Sequence, residues 1–98
     1  MNLDHVALCV EKPKEAAKDY CENYGANLIY ADDTWSMIEF DNIKIAFVIS
    51  NQHPPHIAFA VDKFVEGKTT KSHRDGSESY YESDGHGNFV EFIKYPED

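Results

Sequence analysis

Cysteine, positive charge and long apolar runs are all scarce in this chain of 98 residues. Its two cysteines, Cys9 and Cys21, have neither the number nor the close spacing of a disulfide framework or a zinc knuckle. No apolar run approaches the roughly 20 residues of a membrane-spanning helix. The N-terminus also lacks the basic and apolar segments of a signal peptide. We therefore expect a cytoplasmic protein with two reduced thiols.

The shortage of positive charge excludes two classes of partner. Nine Lys and Arg residues stand against 18 Asp and Glu residues, so the formal net charge is −9. A nucleic-acid backbone and an anionic membrane both require a basic surface on the protein that binds them. We therefore expect no nucleic-acid partner and no membrane partner, whereas a bound cation suits an acidic chain.

Apolar residues, by contrast, are present in the proportion of a folded globule. Hydrophobic residues make up 42% of the chain and aromatic residues 13%, which excludes a disordered tail. A chain of this length predicts one domain, 1–98, with one modest core.

The apolar periodicity predicts the same succession of elements twice. Residues 1–50 should form a strand, a helix and three further strands, at 3–10, 13–25, 26–30, 35–40 and 43–49. The breaker segment NQHPP then precedes a compressed second module, 51–98. Its predicted elements are strands at 56–61, 78–82 and 89–95 and a short helical piece at 62–70. We predict an α+β fold of two β-α-β-β-β modules, the second truncated, with helices on one face of curved mixed sheets.

Each predicted module opens on a histidine, His5 in LDHVALCV and His56 in PHIAFAV. Because side chains alternate along a strand, His5 should share a face with Leu3 and Ala7. His56 should likewise share a face with Ala58. Small alanines beside each histidine predict that this strand face lines a cavity with open space in front of it. The opposite faces of the two strands carry bulkier residues and should be covered by helices.

A carboxylate in the last predicted strand completes a possible metal site. Glu91 stands among apolar residues in SDGHGNFVEF, directly after a glycine-punctuated turn, and a buried carboxylate needs a positive partner. Together with His5 and His56 it would form a facial triad for Fe, Mn, Zn or Ni, with positions left for water or substrate. The three residues are far apart in sequence and match no local metal-binding motif. The alternative is therefore that all three are polar residues at solvent-exposed edges of strands.

The chain resembles the vicinal oxygen chelate superfamily, which includes glyoxalase I, extradiol dioxygenases, methylmalonyl-CoA epimerase, fosfomycin resistance proteins and bleomycin-binding proteins. The likeness lies in LDHVALCV with the helix through NYGANL, then in HIAFAVD, then in SDGHGNFVEF, in the right order across both halves. It implies two β-α-β-β-β modules whose curved sheets surround one metal cavity, and it implies a homodimer.

The resemblance also implies a ligand set. By position, the ligands on the first strands would be His5 and His56, and the ligand on the last strand would be Glu91. The fourth position falls within Ile-Ala-Phe at 45–47 and holds no ligand. This departs from the four-ligand pattern of glyoxalase I and the epimerases and matches the three-ligand set of extradiol dioxygenases and fosfomycin resistance enzymes. One divalent metal would bind vicinal oxygens of a substrate as a Lewis acid.

Other residues are candidates for catalysis or substrate contact. Tyr80 and Tyr81 lie on opposite faces of one predicted strand, so one of them should face the cavity. Glu39 could act as a base near the metal, and Trp35 could stack on a substrate. The alternative for each is an ordinary core or surface residue. A small basic cluster that could hold an anionic group consists of Lys71, His73 and Arg74.

Taken together, these features predict a divalent-metal-dependent enzyme acting on a small oxygenated molecule. Dioxygenase, lyase or isomerase, and thiol-transferase chemistry stay unresolved. The alternative is a metal-free protein of the bleomycin-binding type that binds or sequesters a small molecule. A third alternative is a small scaffold without an intact cavity.

Overall fold

A computed structural model describes residues 1–96, so the last two positions of the predicted second module lie outside the described residues. Within that range the chain forms one helix and eight strands. The elements are β1 (Asn2–Cys9), α1 (Pro13–Tyr24), β2 (Asn27–Ala31), β3 (Trp35–Glu39), β4 (Lys44–Val48), β5 (His56–Ala60), β6 (Lys71–Ser72), β7 (Glu78–Ser83) and β8 (Phe89–Lys94).

All eight strands belong to one mixed sheet with the order β2-β3-β4-β1-β5-β8-β7-β6. The central strands β1 and β5 are antiparallel, and each has a parallel partner on its outer side, β4 or β8. The strand order therefore repeats outward from the centre in the two halves of the chain. This architecture confirms the predicted α+β class with a curved, glyoxalase-like mixed sheet.

The strand register relates the two halves residue by residue. Ala46 on β4 pairs with Ala7, two residues after His5. In the same way, Glu91 on β8 pairs with Ala58, two residues after His56. His5 and His56 are therefore equivalent, and Ala46 stands at the position that Glu91 occupies in the second half. The gap predicted at 45–47 in the ligand set falls on Ala46, which is buried.

The helix α1 covers the outer strands of the first half. It begins at Pro13, a residue suited to the first helical turn, and ends at Gly25, whose φ of 76° is left-handed. Ala17 packs from the helix against Ile38 and Phe47, and all three are fully buried. No helix in residues 1–96 is long and apolar enough to cross a membrane.

The second half of the sheet is not covered by a helix in the described residues. The helical piece predicted at 62–70 is wrong, because this segment forms bends and turns that include Gly67 with a φ of 84°. Phe64 and Lys68 from this segment lie against one aromatic ring of the sheet, that of Tyr80, at 5.6 Å each. As a result Ile57 is 43% exposed on a face that was predicted to lie under a helix.

β1 contains a bulge at Asp4. Leu3 pairs with Phe59 on β5. Two residues further on, His5 pairs with Ala58, the immediate neighbour of Phe59, so Asp4 is the extra residue on β1. The prediction that Leu3 shares the face of His5 is therefore wrong, because the alternation of side chains restarts after the bulge.

Candidate metal centre

Three side chains from three neighbouring strands meet at the middle of the sheet. His5 lies on β1, His56 on β5 and Glu91 on β8, and these strands are adjacent in the sheet order. The two Nε2 atoms are 3.3 Å apart. Oε1 of Glu91 lies 3.3 Å from Nε2 of His5 and 3.2 Å from Nε2 of His56. The structure thus brings together the three residues that the sequence grouped as a possible metal site.

The outer ring nitrogen of each histidine is occupied by a group that can only accept a hydrogen bond. Nδ1 of His5 donates to Oδ2 of Asp4 at 2.7 Å, and Nδ1 of His56 donates to the carbonyl oxygen of Pro54 at 2.8 Å. In the neutral imidazoles both Nε2 atoms then carry lone pairs. These lone pairs and the Glu91 carboxylate face one another, so the arrangement requires a cation or a proton between them.

The chemistry and spacing of the three atoms fit a divalent metal. Ligand atoms about 2.1 Å from one ion lie roughly 3.0–3.4 Å apart when the angle between them is between octahedral and tetrahedral. The observed separations of 3.2 and 3.3 Å fall in this range. Two neutral imidazoles and one carboxylate on one side of an ion form the facial triad that leaves further positions open.

The surroundings of Glu91 keep its carboxylate ionised. Burial alone would raise the pKa of Glu91, but its contacts with His5, His56 and Ser79 outweigh the burial and hold the pKa well below its usual range. Tyr81 pairs with Glu91 in the register of β7 and β8, and burial together with this negative neighbour raises the pKa of the Tyr81 hydroxyl. The site therefore contains a carboxylate that is charged and a phenol that keeps its proton.

The protonation of His5 follows from the same contacts. Burial alone would lower the pKa of His5, but the hydrogen bonds to Asp4 and Glu91 outweigh it and raise the pKa above the ordinary value of 6.5. In the absence of a metal, a proton on His5 can thus relieve the repulsion between the facing acceptor atoms. A metal ion would replace this proton.

The site is closed rather than open. His5, His56 and Glu91 are only 6%, 7% and 4% exposed, and Ala58 is fully buried, so the open space predicted in front of the alanines is absent. Two shallow pockets of about 270 and 310 Å³ lie elsewhere on the surface, and none of the three residues lines either of them. The ring of Tyr81 rests against the His56 ring at 5.0 Å and is one of the groups that cover the site.

The other predicted site residues lie at different distances from this centre. Tyr81 contacts it, whereas Tyr80 points to the opposite face of the sheet and stacks on Phe92 at 5.2 Å. The register places Glu39 on the same face as His5 but two strands away, and it is exposed. Trp35 lies further out on the same face, where it stacks on Tyr30 at 4.6 Å.

The predicted basic cluster lies partly at the edge of the same face. Lys71 pairs with Ser79 across β6 and β7, so the two side chains share a face. His73 hydrogen-bonds Ser79 through Nε2 at 2.7 Å, and Ser79 in turn contacts Glu91. The sequence analysis missed Ser79, because a serine in a polar strand segment gives no indication in the sequence that it lies near the site.

Asp4 and Tyr95 were also missed as parts of the site. Asp4 directly precedes His5, and regular strand alternation would have placed its side chain on the other face. Tyr95 follows the last strand, and its hydroxyl reaches Asp4 at 2.7 Å across 91 residues of sequence. A histidine with an adjacent aspartate is the only sequence signal that could have suggested this contact.

Fold and site together define a chain of the vicinal oxygen chelate fold with a buried His-His-Glu cluster. No protein-family model and no curated protein matches the sequence. Among solved structures, a hypothetical protein from Bacillus halodurans C-125 is 15% identical with a TM-score of 0.77, over 99% of this chain and 96% of that chain. A variant of methylmalonyl-CoA epimerase from Streptomyces coelicolor, in complex with 2-nitronate-propionyl-CoA, is 12% identical with a TM-score of 0.76, over 97% of this chain and 94% of that chain.

A third similar structure carries a different activity in its name. An NAD-dependent benzaldehyde dehydrogenase from Legionella pneumophila is 10% identical with a TM-score of 0.69, over 93% of this chain and 97% of that chain. At such low identities the similarities show a shared fold, and a fold does not select a reaction. The activity must be inferred from the site itself.

Proposed function

We propose that the protein is a metal-dependent enzyme of the vicinal oxygen chelate superfamily that acts on a small oxygenated molecule. His5, His56 and Glu91 would hold one divalent ion, which is Fe, Mn, Zn or Ni. The observation that carries this proposal is the convergence of three acceptor atoms within 3.3 Å of one another. Both outer histidine nitrogens already have partners, so the inner ones need a proton or a cation, and their spacing favours a divalent metal.

The chain's own residues would divide the remaining work. A bound divalent metal supplies Lewis-acid polarisation of substrate oxygens. Tyr81 is the favoured hydrogen-bond donor to a substrate, because it pairs with Glu91 across β7 and β8 and its ring lies 5.0 Å from that of His56. Its raised pKa keeps the hydroxyl protonated. Glu39 is exposed and two strands away from His5, and Tyr80 faces the other side, so we assign neither of them to the reaction.

The ligand set narrows the reaction type. Ala46 occupies the position equivalent to Glu91 and offers no ligand atom. The fold is similar to that of a methylmalonyl-CoA epimerase, but this chain lacks the fourth ligand that the sequence resemblance associates with epimerases and glyoxalase I. The three-ligand set instead favours the type found in extradiol dioxygenases and fosfomycin resistance enzymes, and we leave the choice between them open.

Metal content tests the proposal directly. Purified, tag-free protein should contain about one Fe, Mn, Zn or Ni per chain by elemental mass spectrometry, lose it to a chelator and regain it on refilling. Glu91→Ala and His56→Ala should each abolish retention. Matched controls are Glu82→Ala, on the neighbouring strand and the opposite sheet face, and His86→Ala, in an exposed turn. Metal bound equally by Glu91→Ala would refute the assignment of the site.

A second candidate function is metal-free binding of a small apolar molecule. Two observations favour it: the His-His-Glu cluster is closed, and an exposed aromatic stack of Tyr30 and Trp35 lies further out on the same face of the sheet. If the protein retains no metal and takes none up, this function replaces the first. Trp35 is the single tryptophan of the chain, so quenching of its fluorescence by aromatic compounds would report the binding.

We also propose that the chain forms a homodimer. The uncovered sheet face of the second half supports this, because Ile57 is 43% exposed there, and partly buried Phe59 and Phe92 lie on the same face. Apolar side chains that remain exposed on a sheet face are typical of surfaces that bind another protein. Light scattering coupled to size-exclusion chromatography distinguishes a dimer from a monomer of 11.2 kDa.

A further inference from the structure

We propose that Asp4 is a positioning residue for the His5 ligand, and that Tyr95 and Lys44 hold Asp4 in place. This inference rests on the proposed metal site and deepens it. It concerns residues of this chain alone and can be tested in the metal-free protein.

The bulge in β1 is what makes the contact possible. In a regular strand the side chains of Asp4 and His5 would point to opposite faces. Because Asp4 is the extra residue between the pairs formed by Leu3 and His5, its side chain turns back toward the imidazole. Oδ2 of Asp4 then accepts a hydrogen bond from Nδ1 of His5 at 2.7 Å. A β-bulge beside a functional site commonly re-aims a side chain in this way.

Two further groups fix the carboxylate of Asp4. The hydroxyl of Tyr95 donates to Oδ2 at 2.7 Å, and Nζ of Lys44 lies 3.1 Å from Oδ1. Lys44 also donates to the Tyr95 hydroxyl at 3.3 Å and lies 5.2 Å from the centre of the Tyr95 ring. The side chain of Asp4 is 8% exposed, so these contacts lie in a largely water-free environment where charge-assisted hydrogen bonds are strong.

The elements that supply these groups are distant in sequence. Lys44 lies on β4 and pairs with His5 in the sheet register, while Tyr95 follows β8. The first-strand ligand is therefore tied to both of the strands that end the two halves. A carboxylate with three donors on its two oxygens has little freedom to rotate, and it holds the His5 ring with Nε2 directed to Glu91.

The two histidines consequently differ in their support. His56 has only the neutral carbonyl oxygen of Pro54 at its Nδ1, whereas His5 has a charged carboxylate. A carboxylate partner orients a histidine ligand and raises its basicity, and its loss typically lowers metal affinity about 10–100-fold. His5 should therefore be the more strongly donating of the two ligands. Substitution of its partner Asp4 should correspondingly lower the affinity for the metal.

The first measurement is nitrogen-15 NMR of the histidine rings in the metal-free protein, at an alkaline pH where the nitrogen shifts show that the His5 ring is neutral, so that its tautomer is read without any metal. Wild-type His5 should carry its proton on Nδ1, and Asp4→Ala should shift the population toward a proton on Nε2. Tyr95→Phe keeps the aromatic ring and should leave the tautomer unchanged. Asp41→Ala, which removes an exposed carboxylate in the β3–β4 turn, is the control.

The second measurement is the affinity for Zn²⁺ in competition with a chromophoric chelator. Asp4→Ala should weaken binding about 10–100-fold, Tyr95→Phe should weaken it less, and Asp41→Ala should match wild type. Asp4→Asn keeps an oxygen acceptor for Nδ1, so it should preserve the tautomer and recover part of the affinity, a rescue that a merely structural role of Asp4 would not predict.

The outcomes separate this inference from the proposed metal function. An unchanged His5 tautomer together with unchanged Zn²⁺ affinity in Asp4→Ala would overturn the role of Asp4. If wild type itself binds no Zn²⁺, the metal function fails, and the tautomer alone then decides the role of Asp4. If Asp4→Ala does not fold, the comparison of Asp4→Asn and Tyr95→Phe with wild type decides it, and two variants indistinguishable from wild type in affinity would refute it.

Discussion

Truncation of two equivalent phenylalanines would measure how differently the halves of the sheet are covered. Phe47 follows Ala46 on β4 and Phe92 follows Glu91 on β8, so the register makes them equivalent. Phe47 lies under α1, whereas no helix covers Phe92 in the described part of the chain. Phe47→Ala and Phe92→Ala therefore remove the same side chain from two environments.

The structure sets the expected magnitudes. Phe47 is fully buried and its ring contacts that of Tyr20 on α1 at 4.8 Å, so its truncation should cost about 3–5 kcal/mol of unfolding free energy. Phe92 stacks between Tyr80 at 5.2 Å and Phe59 at 6.0 Å but remains partly exposed. Because less apolar surface is lost from a partly exposed site, we expect a cost of roughly 2–3 kcal/mol there.

Denaturant unfolding followed by circular dichroism is the assay. A domain of this size is stable by only about 5–15 kcal/mol, so both changes should move the midpoint clearly, and Phe47→Ala should move it further. Equal costs, or a larger cost for Phe92→Ala, would refute the reasoning that the second half is uncovered. A cost of Phe92→Ala that grows with protein concentration would show instead that a second copy covers this face.

Two further predictions concern the ion and the turn before β8. A metal supplied at 100 times its dissociation constant should stabilise wild type by about 2.7 kcal/mol and raise Tm by roughly 10–20 °C. Differential scanning calorimetry should show no such rise for Glu91→Ala, and an equal rise would contradict the site. Asp84 accepts hydrogen bonds from the backbone N–H groups of His86 and Asn88 at 2.7 and 3.1 Å, and these bonds hold its pKa below 3.8. A lowered pKa contributes stability that is present above 3.8 and is lost as the pH falls through the folded value. The difference in unfolding free energy between wild type and Asp84→Asn should therefore shrink from pH 7 to pH 3. A difference that stays constant would refute the account.

Local patterns in the sequence were sufficient for most of the fold. All strands except the two-residue β6 follow from alternating or continuous apolar residues, which depend only on neighbours in sequence. Pro13 and Gly25 mark the ends of α1 because their preferred backbone angles suit a helix start and a helix end. The repeated pattern then placed His5 and His56 at equivalent points, a carboxylate within an apolar strand singled out Glu91, and the resemblance to a known family implied the same three residues.

Predictions that depended on distant contacts were less successful. The segment 62–70 has some helical character in its sequence, but a short helix in water is stable only when it can pack on a surface. Here Phe64 and Lys68 contact a single ring of the sheet, that of Tyr80, and the segment remains turns and bends. The choice between Tyr80 and Tyr81 also needed the register, which places Tyr81 opposite Glu91.

The sequence by itself determined which side chains could form a metal site, because His and Glu are ligands whatever surrounds them. The tertiary structure decided how these side chains are held and whether they are open to solvent. A bulge that displaces the register by one residue brought Asp4 to His5, and Tyr95 reached Asp4 from the far end of the chain. Burial of the cluster likewise depends on strands that pair across most of the chain, and such contacts have no signature in the residues next to them.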